Sequence, residues 1–269
     1  SIMSNQFGLL KEKRFAPFFG VQFLGALNDN VFKQALVILL TYSTARYTTM
    51  STDILQNLAQ ALFVLPFFLF SATAGQLADK YEKSRLISIT VAIEFVCMTL
   101  GAAGFLLHSL PLLFAALFLG GVQSALFGPV KYAILPQHLR ESELVGGNGM
   151  VEMGTSVAIL VGMMLGGWLV AQEGWGVTAA AVVTMAISAT GFLLSRLIPL
   201  APAAAPELKI NWNPLTETWR NFQFMRGNRT VFLSVLGISW PRLSGSIRTT
   251  QFPGLSKDNL SPQGAAVPL

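Results

Sequence analysis

Apolar residues run almost unbroken through six segments of the chain, at about 15–42, 54–78, 86–107, 110–135, 144–171 and 177–198. Each run reaches the roughly 20 residues that cross a bilayer as an α-helix. The links between them are short and polar, so neighbouring helices must run antiparallel. The pattern predicts an all-α membrane protein with six spanning helices in residues 1–199. Pro66 and Pro129 fall inside runs and predict kinks. Beyond them, 200–228 reads as a linker whose Pro/Ala-rich start is extended or disordered. Its second half reads as a short helix, with Asn213 as cap, Pro214 at the first position and Gly227 as stop. Leu215, Trp219 and Phe222 share one face of it, with Arg220 and Arg226 available to phosphates. It lies along the membrane surface or rests on the bundle as a connector. A seventh run starts at 229–240 and is broken by Pro241, Arg242 and Arg248; 241–269 reads as a disordered or aberrant tail.

Composition sharpens this picture. Of 269 residues, 52% are hydrophobic and only 12% charged, against about 25% charged in soluble domains. The net charge of +5 does not indicate nucleic acid, because the basic residues fall between apolar runs, where they set orientation. Lys11, Lys13, Arg14, Lys80, Lys83, Arg85, Arg140, Arg196 and Lys209 gather on one side and Arg46 alone on the other. The expectation is a multi-pass protein with its N-terminus in the cytoplasm. The first run is too long for a cleavable signal peptide and lacks a small-residue cleavage site. Cys97 is the single cysteine and has no partner for an internal disulfide.

The first run departs from its apolar character at its centre, where "FLGALNDNVFKQALVILL" carries Asn28, Asp29, Asn30 and Lys33. Helical residues advance about 100° each, so Gln22, Gly25, Asp29 and Lys33 share a narrow arc, with Asn28 and Asn30 on either side of Asp29. An ionised carboxylate facing lipid at mid-span costs at least ~2.5 kcal/mol; the stripe therefore faces protein or water. Either Asp29 and Lys33, one turn apart, neutralise each other, or the stripe lines a central cavity. The second is favoured, because ionisable groups inside membranes mark pathways. Glu94, about a third of the way into the third run, Gln123 near the middle of the fourth, Lys131 near its end and Glu152 in the fifth extend the polar set. Lys131 and Glu152 have similar depth and opposite sign, so they form either a closing pair or a purely structural one. His108 and His138 sit at loops and should be solvated. No metal-ligand set, cofactor motif or nucleophile–base grouping is present, and no enzyme is expected. Gly154, Ala158, Gly162 and Gly166 place a small residue every fourth position of the fifth run, which allows another helix to approach closely.

Several of these stretches are shared with a known group. "GQLADKYEKSR" resembles the major facilitator superfamily signature between spans two and three, with Gly75, Asp79, Lys80 and Arg85 at the matching positions. "QFLGALNDNVFKQALVILLTY", "FGPVKYAILPQHL" and "NGMVEMGTSVAILVG" together resemble the lysophospholipid transporter branch of that superfamily. The resemblance implies an N-terminal six-helix bundle with a 3+3 repeat, half of a twelve-span transporter. It implies flipping of lysophosphatidylethanolamine-type lipids to the cytoplasmic leaflet of the bacterial inner membrane for re-acylation. Implied partners are membrane lipids, the C-terminal six-helix half and an acyltransferase or acyl-carrier-protein synthetase domain. The same residues also fit a membrane anchor for a fused acyltransferase, or a transporter of another small solute. Gln123 stands near the position of the superfamily's fourth-span arginine, and "GMMLGG" lacks the proline of the antiporter pattern, so proton antiport is not implied.

Overall fold

The computed structural model describes residues 6–227 and Leu233. The start of the seventh run (229–240) and the tail 241–269 lie outside the described residues, Leu233 excepted. Among the described residues, six long helices are apolar enough to cross a membrane: α1 (Ala16–Tyr42), α2 (Thr52–Lys80), α3 (Lys83–Leu106), α4 (Leu110–His138), α5 (Glu141–Val170) and α6 (Gly176–Ser195). They lie where the apolar runs place them. Most gain a few polar residues at their ends, since the polar links are short enough to be wound into the terminal turns. A seventh helix, α7 (Pro214–Gly227), follows the linker. Pro66 and Pro129 are both carried inside continuous helices.

Packing follows an internal two-fold rule. α1 packs on α5 and α6, α4 packs on α2 and α3, and α3 packs on α6, whereas α1 and α4 barely touch. Exchanging α1 with α4, α2 with α5 and α3 with α6 leaves this contact pattern unchanged. The bundle is thus a repeat of three helices and three. Glycine makes the closest approaches in both copies. A Cβ at Gly162 would meet the Leu27 carbonyl oxygen at 2.7 Å, and one at Gly166 the Val31 carbonyl oxygen at 2.5 Å. In the other copy, a Cβ at Gly121 would overlap the Phe63 carbonyl. The small-residue stripe of α5 is therefore a packing surface for α1. Apolar cores fill both ends of the bundle, around Phe15, Phe18, Ile87 and Ile134 at one end and around Phe32, Leu36, Phe105 and Leu113 at the other.

The end that carries Arg14 and the α2–α3 and α4–α5 links, here the basic end, is tied together by polar contacts. Arg14 grips Glu143 through two hydrogen bonds of 2.6 and 2.8 Å and donates a third to the His138 carbonyl at 3.0 Å. The same Glu143 carboxylate accepts the Arg140 N–H at 2.9 Å and caps α5.

The linker's Pro/Ala-rich start is extended and laced down. The Ala201 N–H donates to Glu82 at 2.6 Å, the Ala201 carbonyl accepts the Lys83 N–H, and the Pro202 carbonyl accepts from Lys83 Nζ and Gln137. Ala205 donates to the Asp79 carbonyl, and Gln76 exchanges two hydrogen bonds with the backbone of Asn211. His138, expected in solvent, places Nε2 3.2 Å from the Leu200 carbonyl oxygen. Alanine and proline bury little surface, so main-chain groups make the attachment. Partial burial pushes the Glu82 carboxyl up, but hydrogen bonds from Ala201, Ser84 and Arg85 outweigh it and hold Glu82 below the ordinary carboxylate range. Asn213 caps α7 by accepting the Leu215 and Thr216 N–H groups. α7 sits against α2 with Glu217 buried, while Leu215, Trp219 and Phe224 are exposed.

Candidate functional site

Because α1 and α4 hardly meet, a cleft opens between them, floored by α3 and edged by α5. Its volume is about 220 Å³, and Gln22, Asp29, Glu94, Gln123 and Lys131 line it together. Asp29 is the central residue of the 27-residue α1, and Glu94 the twelfth of the 24 residues of α3. Glu94 is deeper than its place in the apolar run suggests, since α3 begins earlier, at Lys83. Gln123 is likewise midway along α4. Three polar groups from three helices thus converge near mid-membrane. Gly25 faces Glu94 across the cleft, and a Cβ there would lie 3.7 Å from Glu94 Oε2, an ordinary contact.

Each group is held in place. Asn28, fully buried, donates through Nδ2 to Glu94 Oε1 at 2.9 Å and to the Thr184 carbonyl at 3.0 Å. A carbonyl only accepts, so this bond fixes which way the amide points. Asn28 Oδ1 then has no hydrogen-bond partner among the described residues. Gln22 donates to Thr155 Oγ1, whose own proton goes to the Val151 carbonyl, and Gln22 Oε1 is likewise unpartnered. Asp29 Oδ2 accepts one long bond, 3.4 Å, from Ser124 Oγ, which also lies 3.4 Å from Gln123 Oε1.

The remaining candidates separate from this group. Asp29 and Lys33 do not form an ion pair. Lys33 opens into a second cavity of about 280 Å³ shared with Asn30, and its Nζ sits 3.9 Å from the centre of the Phe63 ring. Mutual neutralisation, the first arrangement weighed from the sequence, therefore does not occur as a contact. Asn30 turns back to the Ala26 carbonyl at 2.7 Å. Lys131 Nζ lies 5.2 Å from the Tyr132 ring, and Tyr132 donates to the exposed Glu152 at 2.9 Å. Gly75, Asp79, Lys80 and Arg85 sit at the α2–α3 junction on the basic end and are absent from the cleft lining. Ser124 and Thr155 are part of the cleft but were not singled out from the sequence. Single hydroxyls in an apolar run are common, and only their neighbours Gln123 and Glu152 pointed there.

Chemically, the cleft offers two carboxyl groups at mid-depth and, toward the basic end, the unpartnered Gln22 amide oxygen and one ammonium, that of Lys131; Asn28 holds Glu94 but is not part of the lining. The cleft so lined suits a hydrogen-bond donor bearing positive charge. At about 220 Å³ it is smaller than the roughly 300–1,000 Å³ that encloses a whole drug-sized ligand. It suits one end of a longer molecule.

A spanning bundle of three plus three helices around a polar cleft defines a polytopic membrane protein of the transporter class, and the chain belongs to the major facilitator superfamily, whose profile matches residues 18–250. Among individual proteins, it is 30% identical over 211 residues to the lysophospholipid transporter LplT of Klebsiella pneumoniae subsp. pneumoniae, covering 74% of this chain and 49% of that protein. It is 32% identical over 228 residues to LplT of Salmonella heidelberg, covering 81% and 52%. It is 31% identical over 200 residues to LplT of an Enterobacter strain, covering 74% and 47%. The chain spans about half the length of the curated relatives it matches. Family and relatives point to a transporter rather than an enzyme.

Proposed function

We propose that this chain is the N-terminal half of a lysophospholipid transporter and that its cleft receives the lipid headgroup. The observation that carries this reading is the cleft itself, with its two mid-membrane carboxyl groups and one unpartnered buried acceptor, Gln22 Oε1. An ethanolamine ammonium brings three N–H donors and a positive charge to Asp29 and Glu94, while the phosphate turns toward Lys131. The acyl chain leaves sideways between helices into lipid. The match to proteins named lysophospholipid transporter supports the substrate class.

In this reading the basic end faces the cytoplasm of a bacterial inner membrane, because the Lys/Arg asymmetry follows the positive-inside rule. The lipid moves to that leaflet and is re-acylated there by a partner or fused acyltransferase. A second six-helix half completes the passage by facing the α1–α4 cleft. A passive anchor is the weaker alternative, since it has no use for carboxyl groups at mid-membrane.

The test uses the full-length transporter. Asp29→Asn and Glu94→Gln should each lower uptake of lysophosphatidylethanolamine into the cytoplasmic leaflet while membrane levels of the protein hold. Unchanged uptake at equal abundance would remove the cleft from the transport route. Persistence of re-acylation with both substitutions combined would favour the anchor.

A further inference from the structure

At the basic end two apolar grooves lie on either side of one ridge of α3. The first, about 390 Å³, runs between α2, α3 and α4 and is walled by Ala74, Leu77, Leu86, Leu126 and Val130. The second, about 320 Å³, lies between α3 and the end of α6 against Ala92 and Phe192. Arg85 and Ile89, one turn apart on α3, border both grooves, and Arg196 stands at the mouth of the second.

The electrostatics of this ridge are lopsided. Arg85 and Arg196 are exposed, and neither guanidinium has a hydrogen bond or an ion pair among the described residues. Glu82, the acid nearest Arg85 in the chain, is occupied. Its oxygens accept the Ser84 N–H and Oγ, the Arg85 N–H and the Ala201 N–H, at 2.6–2.9 Å. The carboxylate therefore serves the backbone of the linker, and both arginine side chains remain available to another anion. Both grooves are sided by helices long and apolar enough to span a membrane, which suits them to acyl chains.

We propose that the ridge is a binding site for an anionic diacyl phospholipid of the leaflet at the basic end, separate from the headgroup cleft. Its phosphate sits between Arg85 and Arg196, where guanidinium forks match phosphate oxygens, and its two acyl chains straddle Ile89, one in each groove. Phosphatidylglycerol has this chemistry: two chains and net negative charge. Phosphatidylethanolamine keeps the chains but cancels the charge, and lysophosphatidylglycerol keeps the charge but can fill only one groove. Basic pockets between helices recognise lipid headgroups in this way.

Native mass spectrometry of the purified chain, released from vesicles holding phosphatidylglycerol and phosphatidylethanolamine in equal amounts, tests the assignment. One phosphatidylglycerol per chain should be retained in preference to phosphatidylethanolamine. Arg85→Gln and Arg196→Gln should each lower that retention about fivefold, which corresponds to about 1 kcal/mol per arginine. Arg196 lies just past the last turn of α6, so its variant remains informative if Arg85→Gln fails to accumulate. Lysophosphatidylglycerol at the same concentration should be retained several-fold less than the diacyl lipid. Equal retention of phosphatidylglycerol and phosphatidylethanolamine, unaltered retention in the Arg196→Gln variant, or lysophosphatidylglycerol held as well as the diacyl lipid would each overturn the proposal.

Discussion

A close helix–helix approach that can be tested by adding one methyl group is at Gly166. A Cβ there would sit 2.5 Å from the Val31 carbonyl oxygen and 3.1 Å from the Val31 Cα. Both are backbone atoms of α1, so no side chain can rotate out of the way and the helices must separate. Such overpacking costs about 1–3 kcal/mol. Against it stands the higher helix propensity of alanine over glycine, worth up to about 1 kcal/mol. The expected net loss for Gly166→Ala is therefore up to about 2 kcal/mol, or several degrees at roughly 2–4 °C per kcal/mol for a chain of this size. Gly149 on the same helix supplies the control, because nothing lies within 4 Å of a Cβ built there; Gly149→Ala should leave the midpoint unchanged or raise it. Thermal unfolding in detergent, followed by circular dichroism, compares the two. Gly162→Ala, which meets the Leu27 carbonyl and the Asn30 Cβ at 2.7 and 2.9 Å, should behave like Gly166→Ala. A Gly166→Ala variant that melts at or above the parent, with Gly149→Ala no different from it, would refute the clash with α1.

Two further outcomes are expected at the basic end. Arg14→Ala and Glu143→Gln should each destabilise the bundle, with a coupling of about 1–3 kcal/mol in a double-mutant cycle, because the bidentate pair joins the start of α1 to the start of α5; additive effects would show that the contact contributes nothing. Glu82, held below its ordinary value near 4.5, binds fewer protons in the folded state than in the unfolded one. Its contribution is thus fully present above the unfolded value and is lost as pH falls through the folded one. Protection of the 200–205 amides against exchange, relative to their intrinsic rates, should fall below about pH 4.5, and Glu82→Gln should remove that pH dependence. Protection that does not change with pH would contradict the role given to Glu82.

The six spans were legible because the bilayer enforces a long apolar period, and the mid-membrane depth of Asp29 followed from counting within that period. The cleft was legible only in part. Gln22, Asp29, Glu94, Gln123 and Lys131 do share it, but Lys33 does not, although the 100° rule places it on the arc of Asp29. One turn along the helix suffices for Phe63 of α2 to draw Lys33 into a different cavity, and which neighbour stands at which height is a tertiary fact that helical periodicity does not carry. The linker's attachment was hidden for a related reason. Pro- and Ala-rich segments lack side chains to advertise order, yet backbone groups of Ala201, Pro202 and Ala205 dock on Glu82, Lys83 and Asp79. The same blindness hid His138, whose partner is a carbonyl that any residue could have supplied.

The lacing of that linker has a geometric consequence. A loose coil of the same 28 residues, from Leu200 to Gly227, would wander over roughly 30 Å, at 5–6 Å times the square root of the residue count. Stitched to the α2–α3 turn and to Gln76, it wanders little. The end of α7 is therefore held in a fixed berth beside α2, and the chain reaches Gly227 at a place and heading set by the six-helix bundle.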